Sequence, residues 1–289
     1  MTPRGPTARP EDSPYRDCRI AVGTRHGKQR QCAPAFEAVL GARLVTPPDL
    51  DTDRFGTFSG EIPRTATASD TARAKARLAM RVSGLPYGLA SEASYGPLSG
   101  ADVQGHEELL VFVDDTRGIT VTVGERTTVV PGHGHRVSGP AELPHEVAAG
   151  LPAQALIVRP STGGQTARIV KGITGLKLLN TAIMIAAHHS GDGLALVEPD
   201  LRAHHNPSRQ VVLRRLADVL ARRLASRCPV CSTPGFGRVD SERGLPCRIC
   251  ETPTDAIQNE IHACPSCSHC VTAAVATNAD PAWCPRCNP

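Results

Sequence analysis

Aromatic residues are scarce in this chain: Phe, Trp and Tyr together make up 3% of its 289 residues. Its cores must therefore be assembled from Leu, Val, Ile and Ala. The base-stacking platforms that single-stranded nucleic acid requires are not expected. A large charge of either sign is also missing. The formal net charge is +4, too small by itself to mark a polyanion partner. No apolar run approaches the roughly 18 residues a bilayer span needs; the best candidate, around 178–187, is broken by Asn180 and Thr181. The opening stretch MTPRGPTARPEDSPYRD has no apolar centre, so no signal peptide is expected, and its Pro, Arg and Asp content predicts a disordered arm over 1–17. The expectation is a cytoplasmic protein with no membrane partner.

Cysteine, by contrast, is plentiful at 11 residues. In a reducing compartment disulfides are poor candidates, and metal is the better reading. Eight of the cysteines form four Cys-x-x-Cys pairs near the C-terminus. Cys228, Cys231, Cys247 and Cys250 fit C-x2-C-x15-C-x2-C, and Cys264, Cys267, Cys284 and Cys287 fit C-x2-C-x16-C-x2-C. Both spacings suit zinc, because a two-residue gap lets one tight turn present both sulfurs to a single ion. Two structural zinc ions are expected, and iron is the other metal that such a thiolate set accepts. The pairing can be consecutive or interleaved, with the first and third pairs on one ion. His262, His269 and Cys270 lie close enough to be substitute ligands, whereas Cys18 and Cys32 read as free core thiols.

Residues 228–289 carry four arginines against six acids, and each four-thiolate zinc adds a formal charge of about −2. Such a surface repels phosphate, so nucleic acid is not the expected partner. With every coordination position filled by protein, the zinc sites read as scaffolding. A segment of that size buries too little to fold alone and draws on metal binding for stability.

The remainder alternates strand and helix patterns. Strands are expected near 19–22, 42–45, 109–113, 119–123, 155–158 and 194–198. Helices are expected from Pro34 to Leu40, over 69–83 capped by Ser69 or Asp70 and stopped by Gly84, across 176–187, and over 208–226 with Asn206 as cap and Pro207 at its first turn. The fold class is thus α/β: a mixed-sheet domain over 18–226, then a small double zinc-ribbon over 227–289. The arginines of helix 208–226 read as its wet face.

One loop invites chemistry. "GTRHGK", 23–28, follows a strand and precedes a helix; its glycines free the backbone to wrap an anion, and Arg25 and Lys28 supply charge. A second polar cluster, Asp200, Arg202, His204, His205, Asn206 and Arg209, follows strand 194–198, where ligands of open α/β sheets gather. His133 with His135, and His188 with His189, are weaker metal candidates.

"GTRHGK", "DTARAKARLA" at 70–79 and "GLPYGLASEASYG" at 84–96 resemble, in order and spacing, the house-cleaning nucleoside triphosphate pyrophosphatases. That resemblance implies a phosphate-binding role for Lys28 and Lys75. It also puts Arg25 where the family has Asn, and Asp70 with Glu92 as the acids that hold Mg²⁺ and orient a water. Asp51, Asp53 and Glu61 could supply further oxygens. Separately, "DTDRFGTF", "GEIPR", "GLASE", "DLRAHHNPSR", "PGFG", "GLPC" and the tail cysteines resemble a bacterial family of unknown function across nearly the whole chain. The expected ligand is a phosphorylated small molecule or nucleotide, contacted by Arg25, Lys28, Lys75, Arg202 and Asn206 and either hydrolysed or only bound. The non-enzymatic alternative is a ligand- or protein-binding module braced by the ribbon.

Overall fold

A computed structural model describes residues 12–56, 62–98, 103–130, 132–163 and 169–289. Glu61 and most of the expected disordered arm lie outside them. Residues 12–17 of that arm are ordered. Tyr15 is fully buried, donates a hydrogen bond to Asp114 Oδ2 at 3.0 Å and packs edge-on against Phe112.

The first sheet contains β1 (Arg19–Val22), β2 (Arg43–Val45), β3 (Tyr87–Pro97), β4 (Gln104–Asp114) and β5 (Ile119–Thr127), in the order β2-β1-β3-β4-β5. The first three run parallel, and β3, β4 and β5 are joined antiparallel. Alternation along the strands sends Ile20, Val22, Leu89, Leu110 and Phe112 to one face and Ala21, Ala90, Leu109, Val111 and Val113 to the other. Helix α1 (Gln29–Leu40) and helix α5 (Pro207–Ala225) cover the first face, and helix α2 (Ala68–Ser83) covers the second.

Small residues replace aromatic bulk on the α2 side. Ala72, Ala76 and Ala79 face the sheet, and the helix comes so close that a Cβ on Gly23 would lie 2.4 Å from the Lys75 carbonyl oxygen. Gly23 is thus held by packing against α2 rather than by any need to wrap a ligand. Gly27, at φ 65°, is the loop position that requires left-handed freedom.

Two expected boundaries differ. Helix α1 starts at Gln29, leaving Pro34 inside it. Helix α2 is capped by the Thr67 side chain, which accepts from Asp70 N, not by Ser69 or Asp70. Strand β3 runs for 11 residues and is buried on both faces along most of its length.

The span 18–226 holds a second sheet. Strands β6 (His135–Val137), β7 (Leu156–Pro160), β8 (Val170–Ile173) and β9 (Ala195–Pro199) lie in the order β6-β9-β7-β8, all antiparallel. Helix α4 (Leu176–His188) seals one face with Leu179, Ala182, Ile183 and Ala186; a short helix α3 (His145–Ala149) precedes β7. From β9 the chain crosses residues 200–206 and enters α5, which packs beside α1 on the first sheet. This return brings 200–209 to the carboxyl end of β1.

Helix α5 leads directly into the ribbon, strands β10 (Gly237–Arg243), β11 (Ile257–Ala263) and β12 (Cys270–Ala274), paired antiparallel in that order. Arg223 staples the ribbon to the first sheet: its Nη1 donates to Thr122 O at 3.0 Å and Arg238 O at 3.1 Å, and its Nε donates to Gly235 O at 3.0 Å. Among the described residues no helix is long and apolar enough to cross a membrane.

Candidate anion cleft and metal centres

At the carboxyl end of β1 a cleft of about 80 Å³ opens between loop 23–28, the 52–56 turn, β3, β8 and the 200–206 crossing. Its lining carries Arg25, Lys28, Lys75, Lys171, Arg202 and Arg209 against two carboxylates, Asp53 and Glu92. Such crevices are where open α/β sheets bind ligands.

Lys28 is held by Ser91, its Nζ donating to the carbonyl at 3.1 Å and to the hydroxyl at 2.9 Å. Burial, followed by the nearby Arg209 guanidinium, brings the Lys28 amine down to about 8. Glu92 lies one residue farther along β3 and is itself buried. Lys75 Nζ reaches Glu92 Oε2 at 2.6 Å and Arg64 Nη2 reaches Oε1 at 2.6 Å, so each oxygen already has a cation. Arg25 pairs with Asp53 at 2.9 Å, and His26 Nε2 lies 3.4 Å from the other oxygen of that carboxylate.

Behind this wall sits a fully buried ion pair. Arg209 Nε and Nη2 donate to Glu108 Oε2 and Oε1 at 2.7 and 2.9 Å, and Nη1 donates to Leu201 O at 2.7 Å. Burial alone would raise the Glu108 carboxyl; Arg209 and the hydrogen bond with His106 hold it at about 2. Arg209 was expected on the wet face of α5. Its position in the buried first turn of that helix instead makes it part of the core, and Arg223 likewise is a staple rather than a solvated charge.

At the mouth, the rings of His26 and His204 stack at 4.9 Å, and those of His204 and His205 lie 3.9 Å apart. Burial lowers all three, His204 to about 4, leaving them neutral at pH 7.

Of the residues singled out in the sequence, Arg25, Lys28, Lys75, Glu92 and Arg202 meet in this cleft. Asp70 does not: it is half-exposed on α2, bonded to Thr67 and to Arg73 at 2.6 Å. Asn206 lies beside the cleft, where its side chain accepts from Arg209 N at 3.2 Å and donates to Tyr95 OH at 3.0 Å. It is therefore a helix cap. The acids expected around Mg²⁺ are thus dispersed, and those inside the cleft are paired with cations. The sequence reading missed Arg64, Glu108 and Lys171. Glu108 did leave a signal, as an acid at an inward position of an otherwise apolar strand.

In the tail the interleaved pairing is the one observed. Cys228, Cys231, Cys264 and Cys267 form one quartet, and Cys247, Cys250, Cys284 and Cys287 form the other, each with all four sulfurs within 4.8 Å of one another. The hairpin β10–β11 folds the third pair back onto the first, which spacing alone does not reveal. Individual sulfur separations are 3.8 and 3.6 Å in the first quartet and 3.9 and 3.5 Å in the second. A tetrahedron with bonds of about 2.3 Å has edges of about 3.8 Å, whereas a disulfide requires about 2.05 Å. The residues present therefore fit a four-thiolate metal ion.

Two of the turns are built alike, from CPVCSTP and CRICETP. Ser232 and Glu251 take the same left-handed φ of 59°, and Thr233 and Thr252 place their hydroxyls 3.3 Å from Cys231 and Cys250 Sγ. Those contacts bring both thiols down to about 6, favouring the thiolate a metal needs. His262, His269 and Cys270 stand outside both quartets. Cys18 and Cys32 are free, with Cys32 buried. Among the described residues no other group of three or more His, Cys, Asp or Glu side chains converges closely enough to hold an ion, the paired histidines included.

Comparison with known proteins returns one finding: residues 75–289 match the family model of a domain of unknown function, DUF6671. No curated protein and no solved structure matches the chain.

Proposed function

Since the chain belongs to the DUF6671 family of domains of unknown function, we propose its role from its own geometry: the cleft binds the phosphoryl group of a small molecule, and the two cysteine quartets hold structural zinc. The observation that carries the first part is the convergence of six cationic side chains on a space bordered by two carboxylates. Even after Asp200 and Glu108 pair Arg202 and Arg209, positive charge remains in excess, and a low-dielectric crevice amplifies its pull on an anion. Zinc in the quartets would neutralise the thiolates and tie the ribbon strands together. With four cysteines at each ion, no position is left for substrate.

Binding without hydrolysis is the reading the cleft supports best, because both Glu92 oxygens are engaged by Lys75 and Arg64. Hydrolysis of a nucleotide remains a second reading, favoured by the juxtaposition of Lys28 and Glu92 at adjacent positions of one phosphate-sized space. Phosphate titration together with a pyrophosphate-release screen separates the two. A binding module takes up phosphate and shows no turnover, and Glu92→Gln preserves or strengthens its affinity by removing a negative charge. A hydrolase loses turnover in Glu92→Gln while remaining folded. Absence of phosphate binding defeats both readings.

A further inference from the structure

A second hollow adjoins the cleft. It lies at the carboxyl ends of β1 and β2, measures about 570 Å³ and is lined by Thr24, Arg25, Thr46, Pro47, Asp49, Leu50 and Asp51. Thr24 and Arg25 also line the cleft, so the two spaces share a wall. We propose that they form one bipartite site for a sugar monophosphate, with its phosphoryl group among the cations and its hydroxyls against Asp49 and Asp51. This rests on the anion-binding reading above and adds the class of ligand.

Size separates the two chambers. Pockets for whole organic ligands occupy roughly 300–1,000 Å³. The larger hollow meets that range, and the cleft, at about 80 Å³, suits a single phosphoryl group. Chemistry separates them too. The cleft presents six cationic donors against two carboxylates, while the hollow, beside Arg25, Thr24 and Thr46, presents Asp49 and Asp51, whose carboxylates only accept hydrogen bonds. A body that engages those two carboxylates must bring donors. Sugar hydroxyls do so without charge, and their C–H faces can rest on Pro47 and Leu50, both buried at its floor.

Arg25 stands between the chambers with its guanidinium 2.9 Å from Asp53 and 4.0 Å from Asp51. It screens the phosphoryl group from the acids of the hollow. The same acids oppose a polyphosphate chain extending out of the cleft, so a nucleoside triphosphate is disfavoured.

The test is calorimetric titration of the full chain with inorganic phosphate, ribose 5-phosphate and ATP. Ribose 5-phosphate is expected to bind at least about tenfold more tightly than either of the others, the return of one or two charge-assisted hydrogen bonds. In Asp49→Asn/Asp51→Asn the ratio of phosphate to ribose 5-phosphate dissociation constants should fall toward one. Asp51→Asn alone, judged by the same ratio, serves if the double variant does not fold. Equal affinities in the unaltered chain, tightest binding of ATP, or an unchanged ratio in the variants overturns the sugar chamber and leaves the anion site standing. If neither phosphate nor ribose 5-phosphate binds, both proposals fall.

Discussion

Arg209 on α5 and Glu108 on β4 form a two-point ion pair in which neither side chain has any solvent exposure. The pair ties the helix that enters the ribbon to the sheet that bears the cleft, and through Leu201 O it also fixes the 200–206 crossing. Removing one partner leaves the other charge buried without compensation.

Arg209→Met is therefore expected to destabilise the protein by about 3–5 kcal/mol, measured by urea unfolding. Arg209→Met with Glu108→Leu should recover much of that loss, since replacing both ions by apolar groups removes the unpaired charge. A double variant as unstable as the single one would show that the pair itself carries the cost.

Acid should weaken the fold in a defined window. The Glu108 carboxyl lies at about 2 when folded, below its ordinary 4.5, so the unfolded chain takes up its proton first as pH drops. Its stabilisation is complete above pH 4.5 and is lost as pH falls toward 2. Urea unfolding between those limits should show a steep decline that Arg209→Met/Glu108→Leu flattens.

Lys28 gives the opposite end of the pH scale. Its amine titrates at about 8 rather than 10.5, so the folded protein surrenders this charge as pH rises through 8. Sulfate, which does not titrate there, should bind progressively more weakly above that point. Lys28→Arg should hold its sulfate affinity constant through pH 9, because guanidinium stays charged. A wild-type profile that is flat across this range would remove Lys28 from the anion site.

The metal pairing has a stoichiometric signature. Cys231→Ser/Cys264→Ser alters one quartet twice, whereas Cys231→Ser/Cys250→Ser alters each quartet once. Zinc measured by mass spectrometry should fall from two ions to one in the first variant and below one in the second. The reverse order would mean consecutive pairing.

Much of this arrangement could be read from the sequence, and the exceptions share a cause. β1 was legible because three consecutive apolar residues, Ile20, Ala21 and Val22, lie between polar flanks, and α5 because Asn206 and Pro207 announce its start. The eight ligands were legible because spacing reflects local turn geometry. Their partition into quartets was not, since it depends on β10 pairing with β11. Lys28 and Arg25 could be identified from one loop. The partners that define their chemistry, Ser91 and Glu108 for Lys28 and Asp53 for Arg25, come from strands and turns distant in sequence. Glu92 was found as an acid, but its neutralisation by Lys75 and Arg64 is a tertiary fact. In strand β3, packing calls for Gly88, where a Cβ would lie 2.6 Å from Met80 Sδ.

That close packing yields a further prediction. Gly23→Ala introduces a methyl 2.4 Å from the Lys75 carbonyl oxygen, forcing α2 away from β1. A loss of about 1–3 kcal/mol is expected from overpacking of this kind, and the shift of α2 should carry Lys75 with it and weaken sulfate binding. Unchanged stability would mean that the helix and the loop are not in contact.

The most direct test of the account is an anomalous difference map from crystals soaked in selenate, which mimics a phosphoryl group and scatters anomalously. A peak within hydrogen-bond distance of Lys28 Nζ, bordered by Arg202 and Lys75, is the result predicted. Selenate found elsewhere, with that cleft empty at saturating concentration, would contradict it.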